Sequence, residues 1–129
     1  MWTYEQSTGR LYRHDGELVA TGYSGNGAFK NEPGADHVVD HGPIPDGLYI
    51  MDPPVDTKTH GPYVMWLMPR PTNNMHGRAG FGIHGDSVLH AGTASEGCVI
   101  LPRAARELMW LSGDHILKVV PSLNGELVA

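Results

Sequence analysis

Two side chains able to share a proton stand 14 positions apart, His84 in Gly82-Ile83-His84-Gly85-Asp86 and Cys98 in Ala94-Ser95-Glu96-Gly97-Cys98-Val99-Ile100. Cys98 is the single cysteine, so it can neither close an internal disulfide nor build a thiolate metal site alone. A thiol attacks as its thiolate, and a neighbouring imidazolium lowers its pKa from about 8.5 by several units. Gly97 lets the backbone turn sharply before the thiol, which aims the Cys98 N–H at a developing oxyanion. Ser95 is short enough to bond the loop backbone and shape that oxyanion hole. Asp86 is placed either to orient the imidazole or meet a cationic substrate group, or only to form the turn in His84-Gly85-Asp86-Ser87. His90, eight positions before Cys98, is the rival base. His84 is preferred because it ends an apolar run, and a strand end holds a side chain more tightly than a loop. His90 then remains as a residue lining the cleft. The competing interpretation of Cys98 is a small core hydrophobe, the commonest role of a free cysteine.

The elements that would position this pair are short. Trp2 to Gln6, Arg10 to Arg13 and Glu17 to Gly22 alternate as strands. Ser7-Thr8-Gly9 and His14-Asp15-Gly16 separate them as turns, so the chain opens as an antiparallel meander. Tyr23 to Asn31 is a glycine-rich loop without the Gly-Lys-Ser/Thr ending of a phosphate cradle. Leu48 to Met51, Tyr63 to Met68 and Gly80 to His84 follow as strands. One helix is expected from Arg103 to Leu111, with Pro102 at its start, Gly113 past its end and Ala105, Leu108, Met109 and Leu111 as its apolar positions. His115 to Val120 closes the domain as a strand. A single domain over residues 1–129 is expected, mainly β with one helix after the cysteine.

Composition excludes several classes. Seventeen glycines and ten prolines in 129 residues suit short strands and tight turns. A net charge of -5 argues against nucleic acid and anionic membranes as partners. No apolar run is long enough to span a membrane, and Met1 to Gln6 lacks the start of a secretory signal. Eight histidines are scattered, and Asp40-His41-Gly42-Pro43 prevents a helix from aligning His37 with His41, so no metal site is expected.

Ile83-His84-Gly85 followed by Ser95-Glu96-Gly97-Cys98-Val99 resembles the signature of the L,D-transpeptidase catalytic domain. The whole chain is more closely similar to the small L,D-transpeptidase-like effectors of type VI secretion. It carries in order their Trp-x-Tyr opening (Trp2 to Gly9), Tyr-Ser-Gly-x-Gly (Tyr23 to Gly27), Gly-Pro-Ile-Pro-x-Gly-x-Tyr (Gly42 to Tyr49), His-Gly-Asp (His84 to Asp86) and Ser-x-Gly-Cys (Ser95 to Cys98). Glu96 stands where the general family has a histidine, the His84 to Cys98 spacer is short, and Ile100-Leu101 replaces the usual polar residue after the nucleophile. All three departures point to the effector branch.

The resemblance implies a β-sandwich or barrel of short antiparallel strands, and cysteine acyl transfer on peptidoglycan stem tetrapeptides. Cys98 is then the nucleophile and His84 the base. Gly97 and Ser95 form the oxyanion loop, and Gly85, Asp86, His90 and Glu96 contact substrate. The resulting thioester passes to water or to a free D-amino acid. The resemblance further implies no cofactor, a monomer, action in the periplasm of a target bacterium after export without a signal peptide, and a cognate immunity protein. The alternative is a non-catalytic wall-binding or phage structural or lysis module on the same fold.

Overall fold

A computed structural model describes residues 1–123. The chain runs β1 (Trp2–Glu5), β2 (Arg10–Tyr12), β3 (Leu18–Thr21), β4 (Tyr23–Ser24), β5 (Gly47–Met51), β6 (Val55–Thr57), β7 (Gly61–Pro69), β8 (Gly82–His84), β9 (Val99–Ile100), α1 (Arg103–Leu111) and β10 (Ile116–Val120). Two short 3-10 turns, Gly27–Phe29 and Pro33–Ala35, lie in the long connection between β4 and β5. The protein is therefore mainly β, with ten strands and a single α-helix among the described residues.

The strand order is β3-β2-β1-β10-β5-β7-β8-β9-β4, with β6 paired to β7. The opening meander forms as the alternation suggests, β1 against β2 and β2 against β3, both antiparallel. Two pairings are parallel, so the sheet is mixed. β1 lies along β10, and β8 lies along β9. Parallel neighbours cannot be joined by a tight hairpin. The first pair joins opposite ends of the chain, and the second is bridged by residues 85–98. That bridge is the segment between the histidine and the cysteine.

The nine-residue β7 carries the centre of the molecule. Its Leu67–Pro69 end pairs with β5, and Met65 and Trp66 pair with Ile83 and Gly82 of β8. Val64 and Met65 are consecutive and both fully buried, so both faces of the strand are covered there. Tyr4, Leu11, Tyr49, Ile83, Val99 and Leu117 form the main core with Met65.

Helix α1 packs on β7 and β8. Its bounds match the sequence expectation, but its inner face does not. Ala105 and Met109 are buried, whereas Leu108 and Leu111 are 37% and 78% exposed, and Arg106 turns inward instead. Gly113 follows the helix at φ +77°, a left-handed conformation that glycine adopts without strain. No helix among the described residues is long and apolar enough to cross a membrane.

Candidate active site

β8 ends on His84, and Cys98 stands one residue before β9. The parallel register sets Ile83 beside Val99 and His84 beside Ile100. Extending it by one step sets Cys98 beside Gly82. Side chains alternate along each strand, so Ile83 and Val99 point into the core, where both are fully buried. Cys98 and His84 share the opposite face, one strand apart and two residues along. Strand spacing and rise make that about 8 Å between Cα atoms, near enough for their side chains to converge on one reacting group. Both line a cleft of about 830 Å³, which also contains His60, Arg78, Glu96 and Arg106. A Cβ on Gly82 would lie 2.8 Å from the Trp66 ring, so glycine here admits Trp66 beside the pair.

The turn that presents Cys98 is fixed from below. Gly97 has φ +142°, and a Cβ on it would lie 2.6 Å from Arg78 Nη2 and 2.7 Å from Phe81 Cε1. Only glycine fits. Ser95 is buried, and its hydroxyl accepts from Gly25 N–H (2.9 Å) and Gly97 N–H (3.1 Å) while donating to the Cys98 carbonyl (2.6 Å). Ser24 donates to the Gly97 carbonyl at 2.8 Å. These contacts are the loop-backbone bonds expected of Ser95. Ser95 is a staple inside the loop, and the Gly97 N–H is already bonded to it, so neither is free to meet an oxyanion.

Arg78 gave no signal in the sequence, yet it anchors this turn. Its Nη1 donates to the carbonyls of Asp36 (2.7 Å) and Pro43 (2.8 Å), and Nη2 to those of Gly42 (3.1 Å) and Glu96 (3.0 Å). The guanidinium lies 5.0 Å over the Phe81 ring.

His84 is 3% exposed and places Nδ1 2.8 Å from the Gly85 carbonyl. A carbonyl only accepts, so Nδ1 carries the proton and Nε2 is left as the basic nitrogen. The His60 ring meets the His84 ring edge-on at 5.0 Å and the Trp66 ring at 5.3 Å. His60 is a further residue of the site that the sequence did not single out. Burial holds His84 below the ordinary imidazole pKa, and although the Gly85 carbonyl opposes this, His60 and Arg106 add to the depression. Burial likewise pushes the Cys98 thiol up, with the Glu96 carboxylate adding to the rise and the Gly82 N–H and Arg78 opposing it. Both shifts favour a neutral imidazole beside a neutral thiol. His84 would have to take the proton as attack occurs.

The sign of the pH dependence follows. Iodoacetamide alkylation of Cys98 should rise with pH through one inflection above about 8.5, where an elevated thiol ionises. With His84 as the base of a reaction in this cleft, that base would be lost only as pH falls through the depressed His84 pKa, placing the acid limb of kcat/KM below about 6.5. Stopped alkylation time courses across pH measure the first point. A rate already at its plateau at pH 7 would show an ion pair instead.

The remaining expected residues divide. Gly85 and Glu96 line the cleft. Asp86 lines it too, but its carboxylate accepts from Tyr23 Oη (2.5 Å), Ser87 N–H (2.8 Å) and Gly92 N–H (3.0 Å). Burial alone would raise its pKa, and those donors outweigh burial and hold it below the usual carboxylate range. Asp86 therefore fastens the 85–94 loop onto β4, the turn role, and makes no hydrogen bond to His84. His90 lies exposed on that loop and does not line the cleft, which corrects its expected place there. Among the described residues no three His, Cys, Asp or Glu side chains gather as a metal set.

A small, mainly β domain that presents a cysteine and a histidine from adjacent parallel strands is thus the class that fold and cleft define. The Tlde1 domain model matches residues 19–121, most of the chain, and the protein belongs to this family of type VI secretion effectors. No curated protein and no solved structure matches it.

Proposed function

We propose that the protein is a cysteine acyl-transferase acting on peptidoglycan stem tetrapeptides, an L,D-carboxypeptidase that also exchanges the terminal D-amino acid. The observation that carries this is that His84, ending β8, and Cys98, just before β9, line one cleft, with His84 Nδ1 bonded to the Gly85 carbonyl. Cys98 Sγ attacks the carbonyl carbon of the third stem residue while His84 Nε2 takes the thiol proton. The oxyanion is met by the Cys98 amide, since that of Gly97 is held by Ser95. Collapse breaks the C–N bond to the terminal residue, and His84 returns its proton to the departing amine. The thioester then reacts with water, deprotonated by His84, to give the tripeptide acid and the free thiol. With a D-amino acid in place of water, its amine forms a new amide and the same thiol is released.

The substrate class comes from the ordered motif resemblance, and membership of an effector family supports it. Action in the periplasm of a target bacterium, under the control of a cognate immunity protein, belongs to the same proposal. Mass spectrometry of purified tetrapeptide muropeptides tests the chemistry. Incubation should yield tripeptide, and added D-methionine should yield a tetrapeptide ending in D-methionine. Unchanged tetrapeptide in both incubations would overturn it.

A further inference from the structure

We infer that Arg106 is the carboxylate anchor of the cleft, receiving the free α-carboxylate of the residue that leaves and of the amino acid that replaces it. This rests on the acyl-transfer proposal and adds to it what the enzyme recognises in the leaving group.

Arg106 projects from the inner face of α1 and is 5% exposed. Three backbone carbonyls fix two of its nitrogens. Nε donates to Leu101 at 3.1 Å, and Nη1 donates to Pro62 at 2.9 Å and Tyr63 at 2.8 Å. Nη2 has no acceptor among the described residues, and no carboxylate pairs with the guanidinium. The contrast with Arg78 is informative, because Arg78 commits both Nη atoms to carbonyls. Arg103, the next arginine on the helix, is half exposed and sits 3.6 Å from Glu107. Arg106 alone among the three combines burial, an unspent N–H pair and the lack of a counter-ion. A buried guanidinium in that condition favours an anion strongly, and its planar edge suits a carboxylate.

The position of Nη2 selects which carboxylate. A Cβ on Gly85 would lie 2.8 Å from it, so Nη2 sits directly beside the residue after His84, and glycine there leaves it room. Arg106, His84 and Cys98 line the same cleft. His84 has to deliver a proton to the departing amine, which places that nitrogen against the imidazole. In an amino acid the carboxylate carbon is two bonds from the amine, so its oxygens lie within about 3–4 Å of it. A leaving residue bonded to His84 through its amine thus extends its carboxylate toward Gly85 and Nη2. Of the nearby acidic groups, Glu107 is engaged by Arg103 at 3.6 Å, and the other two do not compete for this edge. Asp86 is bonded to Tyr23 and the loop backbone, and Glu96 is on the Cys98 side of the cleft. An internal peptide bond would bring a neutral amide to the same place. Arg106 therefore makes the site one that trims chain ends.

Two tetrapeptides differing only at the C-terminus, free acid against amide, test this with the wild-type protein. The acid should be favoured about tenfold to a hundredfold in kcat/KM, the span of one charge-assisted hydrogen bond. D-Methionine should likewise outcompete D-methioninamide in exchange. In Arg106→Gln the acid-to-amide ratio should fall to about one, and Arg106→Lys should recover part of it. Equal use of acid and amide by the wild type, or a ratio retained in Arg106→Gln, overturns the anchor while leaving acyl transfer standing. Failure of the wild type to convert either peptide overturns acyl transfer and the anchor with it. Arg106→Gln removes donors from three carbonyls, and if it does not fold, the wild-type comparison still decides.

Discussion

Cys98→Ala is expected to lower tetrapeptide conversion by about 10⁴-fold or more while leaving the melting temperature close to that of the wild type. The activity loss follows from deleting the atom that we propose forms the thioester. Removal of a covalent nucleophile costs on this scale, and the remaining groups then give only residual catalysis. The preserved stability follows from how the turn is built. Cys98 is only half-buried, and its Sγ reaches the Gly80 carbonyl at a long 3.9 Å. What holds the turn is backbone, namely the Cys98 carbonyl on Ser95, the Gly97 carbonyl on Ser24 and the Glu96 carbonyl on Arg78. Alanine keeps all of these. The comparison needs muropeptide conversion and a thermal melt on the same preparations. Near-wild-type conversion by the variant would remove Cys98 as nucleophile. A fall in melting temperature of about 10 °C would instead identify the thiol as a core side chain.

The same turn shows what could be read from the sequence and what could not. Cys98 and His84 were legible because each closes or opens an apolar run at a glycine, a local pattern. The helix bounds were legible for the same reason, from Pro102 and Gly113. The parallel pairing of β8 with β9 was not, because no local periodicity encodes which distant strand lies alongside. That register is what sets the histidine and cysteine on one face. β6 and β4 were also missed. Val55–Thr57 alternates too briefly to stand out, and Tyr23–Ser24 lies inside a segment whose glycines read as loop.

The unrecognised site residues have a common cause. Arg78, Arg106 and His60 act through backbone carbonyls or ring edges, most of them supplied by segments distant in the chain. No motif spacing records such contacts. Arg106 did leave a trace. It lies beside Ala105 and one turn before Met109, so a cation sits on the stripe that faces the core. Reading Leu108 and Leu111 as inward instead placed that stripe about a third of a turn off. Ser95, Gly97 and Asp86 are of another kind. Their hydrogen bonds go to neighbours in the loop, which no spacing in the sequence records.

Arg78→Met should be the most damaging change outside the reacting pair, lowering stability by about 3 kcal/mol or more and the melting temperature by about 10 °C. Arg78 is 8% exposed and ties the 36–43 segment to the 96–98 turn through four carbonyls. Methionine fills much of the volume and preserves contact with Phe81, but leaves those carbonyls without a donor. Each buried acceptor that water cannot reach then bears its desolvation cost. Burial draws the Arg78 pKa below the ordinary arginine value, with Asp36 opposing the shift, and the guanidinium remains a cation at neutral pH. Lysine should rescue poorly, since an ammonium cannot span two pairs of carbonyls with a planar fork. Arg103→Lys, on the exposed face of α1, should by contrast leave the melt almost unchanged. Activity should fall as well, measured well below both melting temperatures. Gly97 and the Cys98 amide are held in place through Glu96, and loosening that backbone by 1 Å misaims the thiol. A drop in kcat at least tenfold, with the alkylation inflection of Cys98 left above 8.5, would mark lost alignment rather than altered ionisation. A wild-type melt and kcat in Arg78→Met, or full rescue by lysine, would show that the carbonyl clamp does not hold the nucleophile.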